Sequence, residues 1–220
     1  MLFDLRSRGR RRTVQGIYLG LAVLMAGGLI LFGVGTGTGG GGLLNAFKGG
    51  GSNQKQVISQ EEKSALAQIK ANPNNAGAWG NLLQARWISA GQETTSSGTF
   101  TAQGTKELKG AVQAWQRYLT LTKSPDPELA VTAARAYAKV GNYSGASKAW
   151  AQETLANPSE PNGFECEAIT AYAASQSRVG DLASAKALTL VPKAQQTALK
   201  QSFTQAKSSA SSAQQLAGQC

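Results

Sequence analysis

The sequence predicts an all-α protein, with a single transmembrane helix near its N-terminus and a domain of paired helices after it. Three observations carry that prediction. No charged residue lies between Arg12 and Lys48, and five arginines stand immediately before that gap. Beyond the gap, apolar residues recur at helical spacing, and no stretch alternates like a half-buried strand. Helix, tight turn, helix and proline then recur with a period in the mid-thirties, which is the mark of a stacked helical array.

Residues 1–15 form a basic tip containing Arg6, Arg8, Arg10, Arg11 and Arg12. Residues 16–35 are the predicted span, carrying Ile17, Leu19, Leu21, Val23, Leu24, Met25, Leu29, Ile30, Leu31, Phe32 and Val34. A membrane-crossing helix needs ~20 mostly apolar residues, and this segment meets that length with little to spare. Gly16 and Gly20 make a small-residue pair at the spacing that lets two helices approach, although glycine is common in such helices anyway. Arginines on one side and only Lys48 and Lys55 shortly after the other put the N-terminus in the cytoplasm and the rest outside. Thr36-Gly37-Thr38-Gly39 is not a signal-peptide cleavage site, and no cysteine follows closely as a lipoprotein would require, so the span is expected to stay as an anchor. The residues after Arg11-Arg12 fit a twin-arginine export signal poorly.

Residues 36–56 are a glycine-rich linker. Glycine at that density holds no helix, and a flexible tether of ~20 residues reaches roughly 25 Å. Leu43, Leu44 and Phe47 interrupt it as a small apolar island, either a foothold on lipid head groups or a short docking helix. The helical domain is expected over 57–206. Ser59 with Glu62 three residues on reads as a capping box opening a helix to Lys70. Asn72-Pro73-Asn74-Asn75 breaks it, and a helix from Gly77 to about Ser89 follows. Gly91–Thr105 reads as a loop, Glu107–Leu121 as a helix, and Ser124-Pro125-Asp126-Pro127 as a stop. Leu129–Val140 and Ser144–Leu155 pair across the turn Gly141-Asn142, and Asn157-Pro158 ends them. Phe164–Val179 and Leu182–Leu190 pair across Gly180-Asp181. Pro192 opens a last helix to about Ala206, and the Ser-, Ala- and Gln-rich tail 207–220 is expected to be flexible and frayed.

Composition narrows the function. Of the net charge of +10, +4 belongs to residues 1–12, where topology and anionic lipid explain it. The remainder is spread without a dense basic stripe, which argues against nucleic acid as a partner. The chain has no histidine, which removes Ser-His-Asp and Cys-His nucleophiles and histidine metal sites. Two cysteines are too few for a cysteine zinc cluster, and the twelve acidic residues form no paired catalytic motif. The reading is therefore not an enzyme: no catalytic residue, no metal, no cofactor and no small-molecule substrate, but a protein partner.

The repeat unit resembles the tetratricopeptide repeat family. Its best copy is Pro127–Glu160, with Ala130, Ala133 and Ala134 on the first helix, then Tyr137, Gly141-Asn142-Tyr143, Ala146, Trp150 and Pro158. Glu153 departs from the alanine the family prefers. A second copy spans Pro73–Ser124 with the loop Gly91–Thr105 inserted, carrying Trp79, Leu82, Leu83, Ala111, Trp115 and Tyr118. A third runs from Gly163 to Val191 with Ile169, Tyr172, Ala173 and Ala185, cut short by Pro192 as suits a terminal cap. The alanines allow close helix approach and the aromatics fill the space between pairs. The resemblance implies a concave groove, lined by first helices, that binds extended or helical peptides. Carried over by position, its candidate residues are Gln84, Trp87, Arg135, Lys139, Ala174 and Arg178. The family's lysine and asparagine clamp for a C-terminal carboxylate is not reproduced.

Placed outside the cell, Cys166 and Cys220 are in an oxidising compartment, and the reading favours a bridge between them. The alternatives are that Cys220 is free or pairs with another chain. The arrangement looks like that of bacterial inner-membrane-anchored repeat proteins. It implies a single-pass protein presenting an extracytoplasmic interaction module with a scaffold or chaperone-like role. The rival reading is an accessory subunit of a larger membrane complex, held mainly through its span.

Overall fold

The computed structural model describes residues 51–220, with side chains from Ile58 onward. The basic tip, the predicted span at 16–35 and the linker up to residue 50 lie outside the described residues. Among the described residues no helix is long and apolar enough to cross a membrane. Lys55–Cys220 makes one compact unit.

The described residues are all-α: α1 (Gly51–Ala71), α2 (Ala76–Gln92), α3 (Ala102–Leu121), α4 (Pro127–Lys139), α5 (Tyr143–Ala156), α6 (Pro161–Ala173), α7 (Ser177–Leu190), α8 (Lys193–Ser208) and α9 (Ala210–Ala217). Helix α1 begins eight residues before Ser59, so residues 51–56 belong to a helix and not to the glycine-rich linker. The chain then folds as three helical hairpins packed in series: α2 on α3, α4 on α5, α6 on α7. Helix α3 meets α4 and α5 meets α6, which links each hairpin to the next. Helix α8 packs on α6 and α7, and α9 on α6 and α8.

Local chemistry sets the ends. Asn75, Thr101, Asp126, Asn142 and Ser209 are N-caps whose side-chain oxygens accept from backbone N–H groups of the first turn. Such caps contribute roughly 1 kcal/mol each, because those donors have no partner within the helix. Pro127 and Pro161 sit in the first turn of α4 and α6, where a missing N–H costs nothing. Helix α4 ends in a Schellman turn. Asn142 N donates to Tyr137 O, and Gly141 takes φ 77°, which glycine adopts without a Cβ clash.

Helix α6 ends in the same way, although without a glycine. Gln176 N donates to Ala171 O at 2.8 Å, Ser175 N donates to Tyr172 O, and Ser175 takes φ 59°. The turn expected at Gly180-Asp181 is therefore at Ala174–Gln176, and both Gly180 and Asp181 lie inside α7. Gly180 is there for packing. A Cβ on it would come within 2.5 Å of the Tyr172 ring. Gly145 on α5 stands in the same relation to the Tyr137 ring, also at 2.5 Å. Each of these first-helix aromatics thus lies against the bare backbone of the second helix of its hairpin. Arg86 occupies the corresponding place over Gly110 in the first hairpin, and its Nε donates to Glu62 Oε1 of α1 at 3.0 Å.

The core follows the hairpins. Leu82, Leu83, Leu108, Trp115, Ala133, Ala134, Tyr137, Ala146 and Trp150 form one buried cluster, with Trp115 stacked on Tyr118 at 5.4 Å between ring centroids. Ala168, Ile169, Tyr172, Ala183, Ala187, Leu199, Phe203, Ala213 and Ala217 form the second. The loop expected over 91–105 is shorter. Helix α2 runs on to Gln92 and α3 starts at Ala102, with a tight hairpin between them closed by the Thr94–Phe100 bridge. The tail 207–220, expected to fray, instead forms α9, whose Ala213 is fully buried.

Candidate functional site

The site starts from α4. Glu128, Thr132, Arg135 and Lys139 fall on one face of this helix, with the buried alanines Ala130, Ala133 and Ala134 turned the other way. Asp126 caps the helix and Glu128 sits in its first turn, so the acidic end of this face is its N-terminal end. Arg135 and Lys139 follow toward the C-terminus, where basic side chains suit the helix dipole. Helix α6 supplies the second wall through Asn162, Glu165, Cys166 and Ile169, which recur at one-face spacing.

The C-terminal segment fills the space between these walls. Arg135 Nε donates to the main-chain oxygen of Cys220 at 2.7 Å, and Lys139 Nζ donates to the main-chain oxygen of Gly218 at 3.4 Å. Cys220 is joined to Cys166 by a disulfide, with the Cα atoms 5.6 Å apart. Ala213 and Ala217 pack into the second core cluster, and Leu216 packs partly against it. A cavity of about 320 Å³ remains beside the bridge, lined by Arg135, Trp150, Glu165, Ile169, Leu216 and Cys220 among others. Burial raises the Glu165 carboxyl above its ordinary range. Desolvation beside the apolar walls of Trp150 and Ile169 makes the charged form costlier there.

The sequence-predicted residues divide. Arg135 and Lys139 are exposed side chains brought together on one segment of main chain. Gln84 is half-buried on α2 and lines a second cavity of about 400 Å³ with Asn81, Glu128 and Leu129. Glu128 and Arg135 are two helical turns apart on the same face of α4, so this cavity and the tail site adjoin the two ends of one face. Trp87 is half-buried and packs against the main core cluster. Ala174 and Arg178 do not line the tail site: Ala174 is the C-cap of α6 and Arg178 is the second residue of α7. Their expected placement depends on a turn at Gly180, whereas the chain turns at Ser175.

The residues that sequence reasoning missed are Asn162, Glu165, Ile169, Leu216 and Gln219. Asn162, Glu165, Cys166 and Ile169 do carry a signal, because they share one helical face with a cysteine. Leu216 and Gln219 lie in a segment whose composition hid its helix. No protein-family model, curated protein or solved structure matches this chain.

Proposed function

We propose that this chain is a membrane-anchored, tetratricopeptide-like interaction module. On this reading its helical domain lies outside the cytoplasm and binds a protein partner on the face shared by α4 and α6, in a scaffold or chaperone-like role. The observation that carries the reading is Arg135 and Lys139 holding main-chain oxygens of a peptide segment laid across that face. Main-chain recognition beside small apolar contacts is how a groove accepts a segment without reading most of its side chains. The 35-residue recurrence of Tyr137 on Gly145 and Tyr172 on Gly180 supports a repeat solenoid. The absence of histidine from the whole sequence speaks for binding over catalysis.

Crosslinking in cells tests it. The full chain is expected to capture a partner that Arg135→Ala with Lys139→Ala loses. Unchanged recovery by that double variant removes the groove from the reading.

A second reading is the accessory subunit of a larger membrane complex. Leu155, 75% exposed on α5, and Leu182, 68% exposed on α7, favour it as apolar side chains left in solvent. Deleting residues 1–48 separates the two. A domain that keeps its partner binds through its own face; one that loses it was held by the N-terminal part.

A further inference from the structure

We propose that residues 209–220 are a latched plug. They cover a surface that receives a segment of the same chemistry from another chain, and reduction of Cys166–Cys220 opens it. The inference rests on the groove-binding reading above and names both its occupant and its control.

The plug's own contacts define the occupant. It is held by small buried residues, Ala213 and Ala217, by Leu216, and by two main-chain oxygens facing Arg135 and Lys139. None of these contacts needs a long or charged side chain on the plug. A short helix of small residues with free main-chain oxygens after its last turn meets the same requirements.

The plug is also bounded. Ser209 is extended, at φ −159° and ψ 151°, and separates α8 from α9. Its hydroxyl caps α9 by accepting from Ser212 N, so α9 carries its own cap if it leaves. Helix α8 also packs on α6 and α7 and carries the Lys207–Asp181 ion pair at 2.6 Å, while its buried Leu199 and Phe203 share a core cluster with Ala213 and Ala217 of α9. Along the chain, the boundary between the two helices falls at that single extended residue.

The latch is reachable, because both cysteines are partly exposed and line the 320 Å³ cavity. The reductant is a dithiol of the thiol–disulfide oxidoreductase class. Its thiolate attacks Cys166 Sγ, the Cys166–Cys220 sulfur bond breaks, and Cys220 leaves as a thiolate near the Arg135 guanidinium. The reductant's second thiol then attacks the mixed disulfide, frees Cys166 and leaves as a disulfide. Two electrons pass to the pair, and each thiolate takes up a proton.

The test uses the full chain, oxidised and reduced. Its probe is a labelled peptide of residues 209–220 carrying Cys220→Ser. Reduction is expected to speed amide exchange over 210–217 by about tenfold or more, and by more than over α4 and α5. The peptide is expected to bind the reduced chain and the Cys220→Ser chain but not the oxidised chain. Arg135→Ala with Lys139→Ala is expected to weaken that binding by about tenfold or more, since each removes a charge-assisted bond. Unchanged exchange on reduction, or equal binding to oxidised and reduced chain, overturns the plug. Because the reduced wild-type chain gives both readouts, a variant that misfolds does not decide the outcome. Peptide capture with no partner crosslinked in cells leaves the plug and removes the interaction-module reading. A partner lost with the double variant, while the plug never opens, does the reverse.

Discussion

Ser175 takes φ 59°, in the left-handed region where a Cβ crowds the following carbonyl at about 1–2 kcal/mol per residue. Gly141 takes the same role in the preceding hairpin without that crowding. Ser175→Gly relieves the clash but gives the unfolded chain more freedom, at roughly 0.5–1 kcal/mol. The clash outweighs that entropy, so the variant is expected to gain about 0.5–1 kcal/mol and raise Tm by roughly 1–4 °C in a thermal melt. Gly141→Ala is expected to move Tm down, because it introduces the clash that Ser175 carries. A lowered Tm for Ser175→Gly would mean that the serine side chain contributes more than its backbone costs. A second residue-scale test concerns Gly180. Adding a methyl there drives into the Tyr172 ring and is expected to cost about 1–3 kcal/mol. The Tyr172 hydroxyl also donates to Asp181 Oδ1 at 2.8 Å, so the ring cannot swing aside without losing that bond. Pairing Gly180→Ala with Tyr172→Leu in a double-mutant cycle is expected to return much of the loss.

Between elements, the α5–α6 contact buries acidic groups. Glu153 is 6% exposed; its Oε1 accepts from Asn157 Nδ2 at 2.9 Å, and its Oε2 is buried without a hydrogen-bond partner among the described residues. Gly163 lies against that carboxylate, in space a side chain would fill. Burial raises the Glu167 carboxyl, the hydrogen bond from Thr154 opposes the rise, and the Glu153 charge adds to it. A folded-state carboxyl above its unfolded value binds more protons in the native state. Its contribution is fully present below the unfolded value of 4.5 and is lost as pH rises through the folded one. Glu165 adds to the same trend. Asp181 runs the other way. The hydrogen bond from Lys207 and then that from Tyr172 hold it below 3.8, so its contribution is present above that value and lost as pH falls through the folded one. Tm is therefore expected to rise as pH falls from neutrality through the folded values of Glu165 and Glu167 toward 4.5, and to fall once Asp181 protonates below 3.8. Glu167→Gln is expected to raise Tm at neutral pH and to flatten this slope. A Tm independent of pH over that range would mean that Glu167 is solvated.

The same contrasts explain what the sequence could say at this level. Gly141-Asn142 reads as a turn because glycine is the usual occupant of the left-handed position, and it is one. Ala174-Ser175-Gln176 carries no such mark, whereas Gly180-Asp181 carries one for a different reason, the space that Tyr172 needs. That glycine is what draws Ala174 and Arg178 onto the candidate face when only the sequence is read. Arg135 and Lys139 fall correctly on α4, whose start and stop are both written in local residues: Asp126-Pro127 and Gly141-Asn142. Helix α9 is illegible because serine, alanine and glutamine suggest fraying. Its small apolar set, Ala213, Leu216 and Ala217, gains meaning only against α6. Local chemistry can announce a turn or a cap, but not a surface supplied by residues some fifty positions earlier in the chain.

At the scale of the whole molecule, the proposed orientation and the disulfide depend on one compartment. On the proposed orientation, read from the arginine block before the charge-free stretch, residues after the predicted span lie outside the cytoplasm. A disulfide persists in that compartment, while cytoplasmic thiols are kept reduced. Cys166 and Cys220 are 54 residues apart in sequence, and in the chain-entropy model a loop of that length gives about 4 kcal/mol. That figure is large beside a net domain stability of about 5–15 kcal/mol. On that proposal, orientation would govern stability as well as location. Two measurements on the full chain in cells follow. Protease admitted to the outer face of the membrane is expected to degrade residues 56–220. A membrane-impermeant maleimide is expected to label neither cysteine until a reductant is added, and both afterwards. A protected domain with free thiols would reverse the orientation. It would leave residues 218–220 held by the hydrogen bonds from Arg135 and Lys139 and by the packing of Cys220 against both core clusters. Charge-assisted bonds of that kind contribute at most a few kcal/mol together. In a reducing compartment the C-terminal segment would then be held without its bridge, by these contacts and by Ala213, Leu216 and Ala217, and its opening would need no reductant acting on a latch.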